Sequence, residues 1–211
     1  EMNVAIFSDI HANASAFEAV LKAALARNVD VFMIAGDLVG YYFEPQAVIQ
    51  LVKSSEKPVY IVRGNHEDML LKAMICADQL EEITSKYGPG IEVALNQLTG
   101  TEVEWIANLP HPLVINDVEI LLSSFNELPN VLILGHTHYP FVKNVDRCLV
   151  INPGSVGQPR NRVPGAHWAL LDTQTMNVDL LVEPYDTYDL QQRCIEVAPH
   201  HPYLREVLIR S

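Results

Sequence analysis

Three short apolar runs pace the first third of the chain: Val4–Phe7, Val31–Ala35 and Val59–Val62. The stretches between them have helical periodicity. Phe17, Val20, Leu21, Ala24 and Leu25 fall on one helix face, after Ser15 and Glu18 at the spacing of a capping box. Pro45 suits a first helical turn and precedes Ala47, Val48, Leu51 and Val52. A βαβαβ order leaves few topologies open, because parallel neighbours need a crossover and crossovers are right-handed. The pattern predicts a parallel sheet at the core of an α/β chain.

From Glu67 to Pro110 the signal is mostly helical, broken at Gly88-Pro89-Gly90 and closed by an amphipathic stretch from Thr101 to Leu109. This predicts an inserted helical layer or cap at about 67–110, inside a single domain spanning 1–211. The second half is richer in strands. Leu113–Ile115 and Val118–Leu122 flank Asn116-Asp117, and Phe141–Val145 and Leu149–Ile151 flank Asp146-Arg147. Both read as hairpins with two-residue turns. Ala166–Leu171 and Val178–Val182 flank a polar turn near Gln174. After Thr187 a partly helical tail is expected, broken by Pro199 and Pro202.

The net charge of −12, with no basic run, argues against non-specific binding to nucleic acid or to an anionic membrane. No apolar run approaches the ~20 residues of a membrane helix, and the start carries no signal-like stretch. Cys76, Cys148 and Cys194 are odd in number and far apart, which disfavours a disulfide framework or zinc finger. A cytoplasmic protein is expected; a homo-oligomer is left open.

Polar residues cluster where the apolar runs stop. Asp9 and His11 follow the first run, Asp37 the second, and Asn65 and His66 the third; His136 and His138 follow Val131–Leu134. In open parallel sheets such positions converge at the carboxyl ends of the strands. Each motif alone has an ordinary reading as a turn or cap; their order and placement together do not. Asp9-Ile10-His11, Gly36-Asp37, Gly64-Asn65-His66-Glu67, Gly135-His136-Thr137-His138 and the Asn152-Pro153-Gly154-Ser155 loop resemble those of the calcineurin-like metallophosphoesterases, closest to the small bacterial and archaeal phosphodiesterases among them.

The resemblance implies a two-sheet β-sandwich flanked by helices, with two divalent metal ions between the sheet ends. By position, Asp9, His11 and His138 would hold one ion, Asn65 and His136 the other, and Asp37 would bridge them. His66 would act beside the metals as a general acid or transition-state stabiliser. Arg63 is a candidate for a phosphate oxygen, with a surface salt bridge as the competing role. A mixed oxygen and imidazole set suits manganese first, or iron, zinc, cobalt or nickel, better than calcium. The implied activity is hydrolysis of small phosphomonoesters or phosphodiesters by metal-activated hydroxide. The alternatives are a protein-binding scaffold that has lost catalysis and an enzyme with one metal.

This chain departs from the family pattern in places. Ala12 stands where relatives often carry Gly, and Tyr42-Phe43 replace a common Gly-Pro pair. A further histidine ligand is due at the end of Val118–Leu122, where the chain has Ser123-Ser124, and only eight residues, Ser123 to Asn130, join this run to the next. That is short for a parallel crossover. Either a segment is missing there, or segment and ligand have been lost, or the runs pair antiparallel and His111 or His167 fills the gap. His200 and His201 are assigned to a solvated tail.

Overall fold

A computed structural model describes residues 2–115, 118–121 and 130–211. The first sheet has the order β10-β9-β1-β2-β3, with β1 at Asn3–Phe7, β2 at Val31–Ile34, β3 at Val59–Ile61, β9 at Ala166–Asp172 and β10 at Val178–Glu183. β1, β2 and β3 run parallel, as the βαβαβ pattern requires, and β9 and β10 join antiparallel. The second sheet, in the order β4-β5-β6-β8-β7, comprises Leu113–Ile115, Val118–Leu121, Val131–Leu134, Phe141–Val145 (β7) and Cys148–Asn152 (β8).

Period-two alternation sorts each strand's residues between two cores. Val4 and Ile6 of β1 and Val31 and Met33 of β2 pack with Val131 and Ile133 of β6 and Ile151 of β8, between the sheets. Ala5, Phe7 and Phe32 face the other way, into a core with Phe17, Val48, Leu70 and Ile106 from the helices. Those helices are α1 (Ala14–Ala26), α2 (Pro45–Lys53), α3 (Asn65–Ile75), α4 (Ala77–Tyr87), α5 (Gly90–Gln97) and α6 (Gly100–Ala107). Trp168 is fully buried in this core, its ring 6.0 Å from that of Phe7.

Several local readings are refined. α1 is capped by Asn13, whose side chain accepts from Ala16 N, and not by the Ser15-x-x-Glu18 box. Asn13 wins because its amide also reaches Gly157 O and Tyr185 Oη, tying the helix start to two distant loops. Pro45 opens α2 as expected. The helical layer runs from Asn65 to Ala107 and breaks between Tyr87 and Gly90; α6 starts at a Thr99–Glu102 capping box. The pairings Ile115↔Val118 and Val145↔Cys148 fit two-residue hairpin connections.

β5 and β6 pair parallel, not antiparallel. A four-residue strand is about 13 Å long, and the nine residues between Leu121 and Val131 can span up to about 30 Å. The return path is therefore within reach without a crossover helix. Ser123 and its neighbours lie outside the described residues, so the missing ligand and the proposed missing segment concern a part of the chain that is not described.

Past β10, α7 (Tyr188–Val197) and α8 (Tyr203–Glu206) fold back onto the 41–43 loop. Leu190, Cys194, Leu204 and Leu208 pack on Tyr41, Tyr42 and Phe43, and Tyr42 Oη donates to Leu204 O at 2.9 Å. His201 is half-buried, its ring bonded to Ser85 O, so that part of the tail is docked rather than solvated. Among the described residues no helix is long and apolar enough to cross a membrane.

Candidate metal centre

The candidate ligands lie in turns after β1, β2, β3 and β6, at the same edge of the stacked sheets. Backbone bonds knit these turns together. His11 N donates to Asp37 O at 2.9 Å, Ala12 N to Leu38 O at 2.7 Å, and His136 N to the Asp9 carboxylate at 3.0–3.1 Å. Five of the six candidate ligands have left-handed backbone: Asp9 (φ 53°), His11 (52°), Asp37 (56°), His136 (72°) and His138 (62°). Ala12 (55°) shares that geometry, which favours Gly. Such residues cost of order 1–3 kcal/mol each and persist only where their surroundings over-determine them. Here much of the strain falls on the candidate ligands.

The tautomers of two histidines follow from their partners. His11 Nδ1 lies 3.1 Å from Val39 O, and His138 Nδ1 lies 2.6 Å from Gln158 O. A carbonyl only accepts, so both Nδ1 atoms carry a proton, and in the neutral rings both Nε2 atoms present lone pairs. Those two Nε2 atoms face each other at 3.1 Å, and they lie 3.7 and 3.3 Å from Asp9 Oδ1. Three acceptors in one small space repel unless a cation joins them. Separations of this size are those of donors around one ion with bonds of roughly 2.0–2.2 Å. The donor set fits a transition metal, and the Nδ1–carbonyl bonds are the outer partners that orient ligating imidazoles.

Charge supports the same conclusion. Asp9, Asp37 and Glu67 are all buried, and none pairs with a Lys or Arg among the described residues. Burial would raise the Asp9 carboxyl, but an N–H or positive charge turned toward it from His138 and His11 holds it well below the usual carboxylate range, a place that a cation would take when both Nε2 atoms are bare. Burial, with Glu67 and Asp9 beside it, pushes Asp37 well above that range. Burial pushes His11 down to about 4 and His66 well below its ordinary value, so both rings are neutral. An acidic, desolvated cluster with neutral imidazoles is electrostatically completed by a cation.

The other half of the site is more open. His136 is exposed, Asn65 is half-buried, and His136 Nδ1 lies 2.8 Å from Asn65 Oδ1. Asp37 Oδ1 accepts from His66 N at 2.8 Å, linking the β2 and β3 turns. The His66 ring sits 4.6 Å from that of His11 and 4.7 Å from that of Tyr41, and its buried Nδ1 has no hydrogen-bond partner among the described residues. Asp9, His11 and His138 form one group with converging donor atoms, and His11, Asp37 and His66 form another. Gly40 (φ +86°) lies so close that a Cβ there would strike His66 Nδ1, so this ring leaves no room for a side chain behind it.

Glu67 has no role that can be read from sequence alone. Its carboxylate accepts from Gly64 N (2.7 Å), Asp37 N (2.9 Å), Leu38 N (2.7 Å) and Val39 N (3.2 Å), stapling the Asp37 turn to the Asn65-His66 turn. Its place three residues after Gly64 signals a capping box; its reach to residues thirty positions earlier is a tertiary fact. The 152–158 loop acts similarly. Ser155 Oγ donates to Asp9 O at 2.7 Å, Asn152 Nδ2 donates to Gly135 O at 3.1 Å, and Gly157 packs so tightly on Ile10 O that no Cβ would fit.

Arg63 is committed elsewhere: Nε lies 2.9 Å from Asp68 Oδ1 and Nη1 donates to Ala107 O at 2.9 Å. His111 bonds to Arg63 O and His167 to Val163 O, each at 2.8 Å, and neither belongs to a group of converging metal donors.

Known proteins give this geometry a context. Residues 2–176 match the calcineurin-like phosphoesterase superfamily domain. The phosphodiesterase YfcE of Escherichia coli is 28% identical over 189 residues, covering 84% of this chain and 91% of that protein. Two solved structures share the fold. A metallophosphoesterase from Sphaerobacter thermophilus has a TM-score of 0.78 at 24% identity, covering 98% of both chains. The hypothetical protein PH1004 of Pyrococcus horikoshii has a TM-score of 0.85 at 19% identity, covering 100% of this chain and 98% of its own.

Proposed function

The chain belongs to the calcineurin-like phosphoesterase superfamily and is a hydrolase of phosphate esters, and we propose that it works with two divalent metal ions on phosphomonoesters or phosphodiesters. The supporting observation is the meeting of the His11 and His138 Nε2 lone pairs beside the Asp9 carboxylate. Asp9, His11 and His138 would hold one ion, Asn65 and His136 the other, and Asp37 would serve both. Bound there, the ions would neutralise phosphoryl oxygens and make hydroxide available near neutral pH. We read residues 1–211 as one domain, with α3–α6 as its helical insertion, and manganese as the first metal to test.

The chain's own residues position and protonate. Glu67 fixes the turns that carry Asp37, Asn65 and His66 relative to one another. His66, wedged between His11 and Tyr41, would donate a proton or an N–H to the departing oxygen. Burial keeps this ring neutral, so its protonated form depends on the negative charge that a phosphoryl group brings beside it. Arg63 would contribute to phosphate binding only by leaving Asp68 and Ala107.

Hydrolysis of bis(p-nitrophenyl) phosphate should rise with added manganese and vanish with chelator. His66→Ala should lower kcat by about 10²–10⁴-fold with its metal content unchanged. Activity indifferent to chelation would refute the metal mechanism. A one-metal enzyme is the second reading, favoured by the exposure of His136 beside a fully buried Asp9–His11–His138 group.

A further inference from the structure

Arg160, in the wall of the same site, has no counter-charge among the described residues. Arg160, half-buried, comes two residues after Gln158, whose carbonyl accepts from His138. Its Nη2 donates to Tyr41 Oη at 3.0 Å and to Gln158 Oε1 at 3.2 Å, and the guanidinium carbon lies 5.9 Å from the Tyr41 ring centroid. Its Nε is shielded from solvent and has no partner among the described residues. No described carboxylate pairs with it.

Tyr41 connects this cation to the chemistry. Its ring centroid lies 4.6 Å from that of His11, 4.7 Å from that of His66 and 6.3 Å from that of His138. The assembly is held from outside: α7 and α8 pack on residues 41–43, and Arg210 Nη2 donates to Arg160 O at 3.3 Å. A guanidinium whose Nε is shielded from water, with no anion beside it among the described residues, is incompletely satisfied. Its planar fork matches a phosphate better than any other protein cation does.

We propose that Arg160, anchored on Tyr41, is a phosphate ligand supplied by the protein, and that it favours dianionic phosphomonoesters or terminal phosphates over diesters. The inference rests on the phosphoesterase site described above. A diester carries one charge on two non-bridging oxygens. A monoester carries two charges on three, and the additional charged oxygen is the one a positive fork in the wall would take. Tyr41 is a positioning residue in this scheme, because it acts through Arg160.

Arg160→Met keeps an apolar stem against Tyr41 while removing the charge. Binding of inorganic phosphate to the manganese-loaded protein, read by titration calorimetry, should weaken about 10–100-fold, the range for a lost charge-assisted bond. The kcat/KM for p-nitrophenyl phosphate should fall by a similar factor, and that for bis(p-nitrophenyl) phosphate by no more than about threefold. Tyr41→Phe, which keeps the ring and loses the anchoring hydroxyl, should reproduce part of both losses. Phosphate affinity within about twofold of the parent in both variants, or equal losses on the two esters, would overturn the inference. Arg160-dependent phosphate binding by a protein indifferent to chelation would instead sink the metal mechanism and leave this site standing.

Discussion

Asp9→Asn should lower kcat/KM by about a thousandfold or more, since partners one step removed from a metal already cost 10–100-fold when lost. The substitution is nearly isosteric, and Asn tolerates the left-handed backbone that Asp9 adopts at φ 53°. The loop should therefore stay folded, and the loss should appear as weaker metal retention. Asp9 is the carboxylate toward which both imidazoles point, and it also accepts from His136 N and Ser8 Oγ. An amide in its place removes the charge and turns an NH₂ group toward donors or toward an ion. Calorimetric manganese titration with circular dichroism on the same sample is the check. A variant with native metal affinity and activity would remove Asp9 from the ligand set.

The second large effect is expected at a residue that touches no metal. Glu67→Leu would leave four backbone N–H groups, of Gly64, Asp37, Leu38 and Val39, without their acceptor in a fully buried place. Each unsatisfied donor costs roughly 1–3 kcal/mol, and partial relaxation should bring the total to about 3–5 kcal/mol. The urea midpoint should fall accordingly, and whatever remains folded should bind manganese poorly, because the Asp37 turn is no longer tied to the Asn65-His66 turn. Glu67→Gln retains one acceptor oxygen but points its amide at two N–H groups, so an intermediate loss is expected. An unchanged midpoint in Glu67→Leu would show that the four bonds contribute nothing net.

These two residues differ in how visible they were. Asp9 was marked by its place after the Val4–Phe7 run and by His11 two residues on, a local signal that needs only the strand to be recognised. Glu67 lay in a recognisable motif, yet its function depends on Asp37, Leu38 and Val39 folding against it. The same division holds elsewhere. Parallel β1-β2-β3 could be read because each strand and crossover is continuous in sequence. Asn13 displaced the Ser15-x-x-Glu18 cap through partners at Gly157 and Tyr185, which no local pattern reveals. The parallel pairing of β5 and β6 removes the antiparallel alternative, one of the three that the short connection had left open. The left-handed backbone at five of the six candidate ligands is likewise a product of tertiary restraint, since neither Asp nor His demands it.

The most direct test of the two-ion site is a metal count. The purified chain would be loaded with manganese, freed of unbound ion by gel filtration, and analysed for metal per polypeptide. Asp9, His11, Asp37, Asn65, His136 and His138 acting together should retain two ions per chain. Retention of one ion, or of none, would contradict the two-ion site.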